Sequence, residues 1–144
     1  MENKIDFVIL WVDGSDEAWL DERRKYSGDE NTGSKSRYRD WNNLQYWFRG
    51  VEKFAPWVNR IYFVTWGHIP SWLNLSHPKL KVVRHEEFIP TDYLPTFSSH
   101  PIELNLHRIK GLSERFVYFN DDTFLIRPVL QEDFFKKGLP RDCC

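Results

Sequence analysis

Six consecutive apolar residues, Phe7 to Val12, run directly into Asp13-Gly14-Ser15-Asp16. A branched apolar run stopped by a polar glycine turn is the pattern of a strand buried on both faces. Such strands belong to parallel sheets covered by helices, so Ile5 to Val12 is expected as a central strand of an α/β fold, a mostly parallel sheet with flanking helices. The pattern recurs. Arg60 to Trp66 closes at Gly67, Leu80 to Arg84 is a third short strand, and Arg115 to Phe119 a fourth that ends at Asn120-Asp121-Asp122.

Helical segments separate these runs. Glu17 to Tyr26 reads as a charged helix. Between Asn42 and Phe54, the residues Leu44, Trp47, Phe48, Val51 and Phe54 follow helical spacing, with Asp40 as N-cap and Pro56 beyond the end. Pro101 to Ile109 places Ile102, Leu106 and Ile109 on one face, and Gln131 to Lys137 is expected as a short closing helix. Strand, helix, strand in this order predicts parallel pairing through right-handed crossovers. Ser27 to Ser36 has the composition of a mobile loop and is the best internal break.

A chain of 144 residues suits one core rather than two. Its 20 Lys plus Arg against 21 Asp plus Glu leave a net charge of -1, which excludes the basic footprint of a protein that binds nucleic acid or anionic membrane. The run from Phe7 to Val12 is far short of the roughly 20 residues that span a bilayer, and the first residues lack the pattern of a secretory signal, so a cytoplasmic location is expected. The cysteines, Cys143 and Cys144, are adjacent at the end of the sequence and cannot staple the fold. Aromatic residues, 17% of the chain, are expected mainly in the core.

Polar residues at the carboxyl ends of strands carry the candidate chemistry, because ligands of open α/β sheets bind there. Asp13 and Gly14 form a turn that lets backbone approach a ligand and places a carboxylate for a ribose hydroxyl; the same residues also make a plain Asp-Gly turn. Asp121 and Asp122 follow a buried strand directly. They fit a Mg²⁺ or Mn²⁺ ion completed by water and substrate phosphate oxygens, and equally an Asx turn. Arg37, Arg39 and Asp40 precede the helix that begins near Asn42, where two guanidinium groups either grip phosphate or lie solvated. His100, Glu103 and His107 are spaced i, i+3 and i+7. That stripe fits a His/Glu metal site, an acid/base His107 oriented by Glu103 with Arg108 near a phosphate, or a solvated face. His85 reads as structural.

In their order, these segments resemble the Stealth family of sugar-phosphate transferases, which includes bacterial capsule and exopolysaccharide phosphotransferases and the catalytic subunit of the lysosomal-enzyme GlcNAc-1-phosphotransferase. Trp11-Val12-Asp13-Gly14-Ser15-Asp16 is similar to the family's first conserved block, placed at about 5–26. The second block, about 37–144, resembles Arg37-Tyr38-Arg39-Asp40, Glu52 to Trp57, Leu94-Pro95-Thr96-Phe97-Ser98-Ser99, Ile102-Glu103, Leu106-His107-Arg108-Ile109 and Tyr118 to Asp122. Trp41 and Lys110 stand where many relatives have Asn and Pro. Further blocks follow in the family, so the resemblance implies the first part of a single catalytic domain.

The reaction implied by this resemblance moves a hexose-1-phosphate or N-acetylhexosamine-1-phosphate from a nucleotide diphosphate sugar, a UDP-sugar, to a hydroxyl of a polysaccharide or glycan acceptor. It further implies Asp121 and Asp122 as metal ligands and Arg37, Arg39 and Arg108 at the diphosphate. Asp13 and Gly14 fall at the nucleoside, Asp40, Ser98 and Glu103 in the substrate-binding set, and His107 at proton transfer. A metal-dependent glycosyltransferase and an inactive fragment that only binds nucleotide sugar or a partner chain are the alternatives.

Overall fold

The structure, a computed structural model, describes residues 4–27 and 41–141. Arg37, Arg39, Asp40, residues 28–36 of the loop expected from Ser27 to Ser36, Cys143 and Cys144 lie outside the described residues.

Strands β1 (Ile5–Trp11), β2 (Ile61–Thr65), β3 (Leu80–Arg84) and β4 (Arg115–Phe119) form one sheet in the order β3-β2-β1-β4. All three pairings are parallel, with Val8 opposite Tyr62 on one side and Tyr118 on the other. The first apolar run is therefore central, and its side chains divide between two cores. Phe7, Ile9 and Trp11 pack with Leu44, Trp47 and Val51 of helix α2 (Leu44–Phe54). Val8 packs on the opposite face with Ile102 of α3 (Ser99–Asn105) and with Leu106 and Ile109. The chain steps from β1 to β2 through α2 on one face, and returns from β3 to β4 through α3 on the other. Opposite directions on opposite faces are what a single crossover hand requires.

Helix α1 (Glu17–Ser27) takes in Ser27, which the sequence pattern gave to the loop. Helix α2 begins later than expected: Asn43 is its N-cap and makes no side-chain capping bond. Gly50 faces Leu125 across a gap where an added Cβ would meet the carbonyl oxygen at 3.2 Å, so a helix position that disfavours glycine is held by close approach of the returning chain. That chain is tied down by the Trp57 indole N–H, which donates to the Val129 carbonyl at 2.7 Å.

Two expected elements differ. The helix from Pro101 stops at Asn105, and Leu106–Arg108 is a single 3₁₀ turn. The closing helix is only α4 (Gln131–Phe134), after which β5 (Phe135–Lys136) pairs antiparallel with β6 (Leu139–Pro140). Lys137 and Gly138 have φ of 52° and 85°, and two consecutive positive φ values make the two-residue turn of a hairpin rather than a helical ending.

Candidate functional site

The strand order reverses at β1, which has β2 and β3 on one side and β4 on the other. A doubly wound sheet opens a crevice at such a point, because the connections leave in opposite directions. A cleft of about 380 Å³ lies there. Trp11 and Val12 line it from the end of β1, Asn120, Asp121 and Asp122 from the end of β4, Ser98 and Ser99 from the start of α3, and His85 from beyond β3. Trp41, Trp19, Phe97 and Tyr118 give it aromatic walls.

At the β4 end the backbone turns back as Thr123 N–H donates to the Asn120 carbonyl at 3.2 Å. The turn closes through main-chain atoms, Thr123 Oγ1 adds a long bond of 3.4 Å to Asp122 Oδ1, and the side chains of Asp121 and Asp122 are exposed. The Tyr118 hydroxyl lies 3.1 Å from Glu103 Oε1 and 2.5 Å from Asn120 Oδ1, and its single proton is donated to one of them at a time. Burial first, then the charges of Glu103, Asp121 and Asp122, push the phenol well above the usual tyrosine range. Tyr118 therefore stays protonated and ties α3 to the carboxylate-bearing strand end.

At the β1 end, Asp13 Oδ1 accepts from Ser15 N–H at 2.9 Å and from Ser15 Oγ at 2.6 Å, the hydrogen bonds of an Asx turn. Asp16 caps α1 through Oδ1, which accepts from the Ala18 and Trp19 N–H groups at 2.9 and 3.1 Å. The Trp19 N–H bond holds the Asp16 carboxyl below the usual range, against the opposing effect of burial and with help from His68. His68 joins both ends of this turn. Its Nε2 accepts from Asp13 N–H at 2.8 Å, so Nδ1 carries the proton and donates to Asp16 Oδ2 at 3.1 Å. Gly67, at φ +150°, sits in the loop that brings His68 there.

The cleft thus gathers Asp121, Asp122 and Ser98 of the residues expected from the sequence, with Asp13 and Gly14 at the end of the neighbouring strand and Glu103 joined through Tyr118. His107 and Arg108 are exposed on the turn after α3 and are not among its lining residues. Because the helix ends at Asn105, the i+7 relation between His100 and His107 is not realised, and Glu103 bonds to Tyr118. Among the described residues no three His, Cys, Asp or Glu side chains converge as metal ligands. The donor set at the β4 end is two carboxylates and an amide oxygen, all hard. It fits an ion such as Mg²⁺ or Mn²⁺ that keeps water and substrate oxygens in its shell, not one held in an all-protein cage. His68, His85, Tyr118 and Trp41 carry no site signal in the sequence pattern. Only the 72% exposure of Trp41 in a chain rich in buried aromatics marks it out, and exposure is invisible in sequence.

Residues 3–30 match Stealth protein conserved region 1 and residues 37–142 match Stealth protein conserved region 2. The chain is 57% identical over 144 residues to the capsular polysaccharide phosphotransferase WcwK of Streptococcus pneumoniae, across 98% of this chain and 44% of that protein. It is 56% identical over 145 residues to the receptor polysaccharide phosphotransferase WefC of Streptococcus oralis, across 96% of this chain and 44% of the relative. With the capsular polysaccharide phosphotransferase eps5J of Streptococcus thermophilus it shares 54% over 142 residues, 95% of this chain and 60% of the relative. The chain spans less than half the length of the first two relatives. With the second conserved region matched from 37 to 142 and the first from 3 to 30, the chain belongs to the Stealth protein family.

Proposed function

We propose that the cleft at the β1/β4 switch point binds a nucleotide diphosphate sugar, a UDP-sugar, and that the chain takes part in sugar-1-phosphate transfer to a glycan hydroxyl in capsule or exopolysaccharide synthesis. The observation that carries this reading is the pair Asp121-Asp122, which follows β4 and opens into an aromatic-walled cleft in a chain similar to capsular polysaccharide phosphotransferases.

In this reading the acceptor oxygen attacks the phosphorus next to the sugar. The new acceptor O–P bond forms as the bond to the nucleoside monophosphate breaks, which leaves a phosphodiester and UMP. The residues must place the acceptor in line, neutralise phosphoryl charge and take the acceptor proton. Asp121 and Asp122 would hold Mg²⁺ or Mn²⁺, which supplies charge neutralisation at the diphosphate. Arg37 and Arg39 are assigned to the diphosphate, and Asp13 with its turn to the nucleoside. The candidate for the proton at the cleft is Glu103, whose bond to Tyr118 links its carboxylate to the cleft wall, whereas His107 and Arg108 are exposed outside the cleft lining. Trp41 and Phe97 offer flat faces for base or sugar.

The test is product analysis with UDP-N-acetylglucosamine labelled at the β-phosphate, Mg²⁺ and a capsular glycan acceptor. Label on the acceptor together with UMP is the expected outcome. Release of UDP would mean glycosyl transfer, and donor binding without turnover would restrict the chain to holding the donor.

A further inference from the structure

Of the buried polar residues, three have local partners. Asp6 accepts from Asn59 and Ser113, Thr65 donates to the His68 carbonyl, and Thr96 bonds within its own turn at Ser98. His85 differs. The residue is 4% exposed, yet Nδ1 has no hydrogen-bond partner among the described residues. The backbone around it is fixed, since its carbonyl accepts from Phe88 and Ile89 N–H at 3.3 and 2.9 Å. This residue also lines the cleft. A buried nitrogen left unpaired on a residue that lines a cleft is a place where a ligand completes the hydrogen bonding once the ring turns toward it.

The chemistry of that nitrogen restricts the ligand group. Burial, and then the field of His68, lowers the imidazole from its ordinary 6.5 to about 4, so it is neutral near pH 7. A neutral ring is unsuited to phosphate, which seeks cations. An amide or imide edge carries both N–H and C=O, so it satisfies Nδ1 in either tautomer.

We propose that His85 is a donor-reading residue, whose Nδ1 makes a hydrogen bond to an amide-type edge of the nucleotide sugar. That edge is the imide of the base or the acetamido group of the sugar. The inference rests on the nucleotide-sugar reading of the cleft and adds to it a specificity contact on the β3 side, across the sheet from Asp121 and Asp122.

Two measurements test it. In ¹⁵N-histidine-labelled protein, saturation with UDP-N-acetylglucosamine and Mg²⁺ moves the His85 Nδ1 resonance and leaves that of exposed His77 in place. A merely structural histidine would not respond. Affinities are then compared for wild type, His85→Gln and His85→Leu, each confirmed folded by circular dichroism. The leucine variant loses about tenfold to hundredfold in affinity for UDP-N-acetylglucosamine, and glutamine recovers part of it. If the base supplies the edge, the loss is repeated with UDP-glucose and absent with N-acetylglucosamine 1-phosphate; if the sugar does, the pattern reverses. Wild type that binds UDP-N-acetylglucosamine with an unmoved His85 resonance and unchanged affinity in both variants overturns the His85 contact alone. Wild type that binds none of the three ligands overturns the nucleotide-sugar reading beneath it.

Discussion

Asp6 has 0% exposure in the central strand, where an unpaired carboxylate would be prohibitive. It is stable there because Oδ1 accepts from the Asn59 amide at 2.7 Å and Oδ2 from Ser113 N–H at 2.8 Å. Those bonds tie the segments entering β2 and β4 to β1. Asp6→Ala leaves both donors unpaired and is expected to cost about 3 kcal/mol, read as a lower urea midpoint at unchanged m. The histidine in the cleft gives a pH signature. Because the folded-state pKa of His85 lies below its ordinary 6.5, the unfolded chain binds the extra proton between pH 6.5 and about 4. Stability attributable to His85 is therefore complete above pH 6.5 and is lost on acidification through that window, by about 3 kcal/mol in total. The denaturation free energy of His85→Gln, set against wild type at pH 7 and pH 4.5, should show a shallower acid loss. Asp16 acts lower. Its depressed carboxyl contributes above the ordinary carboxylate range and fades as pH falls through the folded value, so the two residues separate by window. At this scale the position of Asp121 and Asp122 at an open strand end was legible, because charges directly after a buried strand have few places to go. It did not disclose His68 or Tyr118, whose roles arise from partners 55 and 15 residues away.

Among the elements, α2 positions the β4 end. Trp47 is 1% exposed and its ring meets Phe119 edge-on at 5.4 Å, one residue before Asn120-Asp121-Asp122. Trp47→Ala is expected to cost roughly 3–5 kcal/mol, measured by thermal or urea unfolding. The strands were legible within one residue at each end because continuous apolar runs have one economical solution in a two-faced sheet. Helix boundaries were less so. The expected Asp40 cap lies outside the described residues, and the observed cap residue Asn43 makes no side-chain bond that a sequence pattern would flag. Pro101 to Ile109 kept its apolar spacing through a change from α to 3₁₀, since Ile102, Leu106 and Ile109 are buried in either geometry. The polar stripe has no such anchor, and His107 turned away from the spacing read for it. The closing segment failed as a helix for a different reason: nothing in Phe135 to Leu139 except the lone glycine signals a turn with two positive φ values.

Across the whole molecule, order β3-β2-β1-β4 brings the ends of β1 and β4 and the segment beyond β3 to one cleft. The parallel sheet was readable from alternation of strand and helix, but the position of β4 beside β1 was not, because pairing partners are not written in local pattern. It is that placement which brings Asp121 and Asp122 to the cleft that Trp11 and Val12 also line, with both carboxylate residues exposed. Asp122→Ala is accordingly expected to keep a melting temperature within a few degrees of wild type while donor binding in Mg²⁺ falls by at least tenfold. No helix among the described residues is long and apolar enough to cross a membrane. The most direct measurement of the central claim is isothermal titration of the folded chain with UDP-N-acetylglucosamine, with Mg²⁺ and with EDTA. Saturable binding that requires Mg²⁺ and disappears in Asp122→Ala is the predicted result. Binding of equal strength in EDTA, or in the variant, would contradict the assignment of the β4 carboxylates to a metal-held diphosphate.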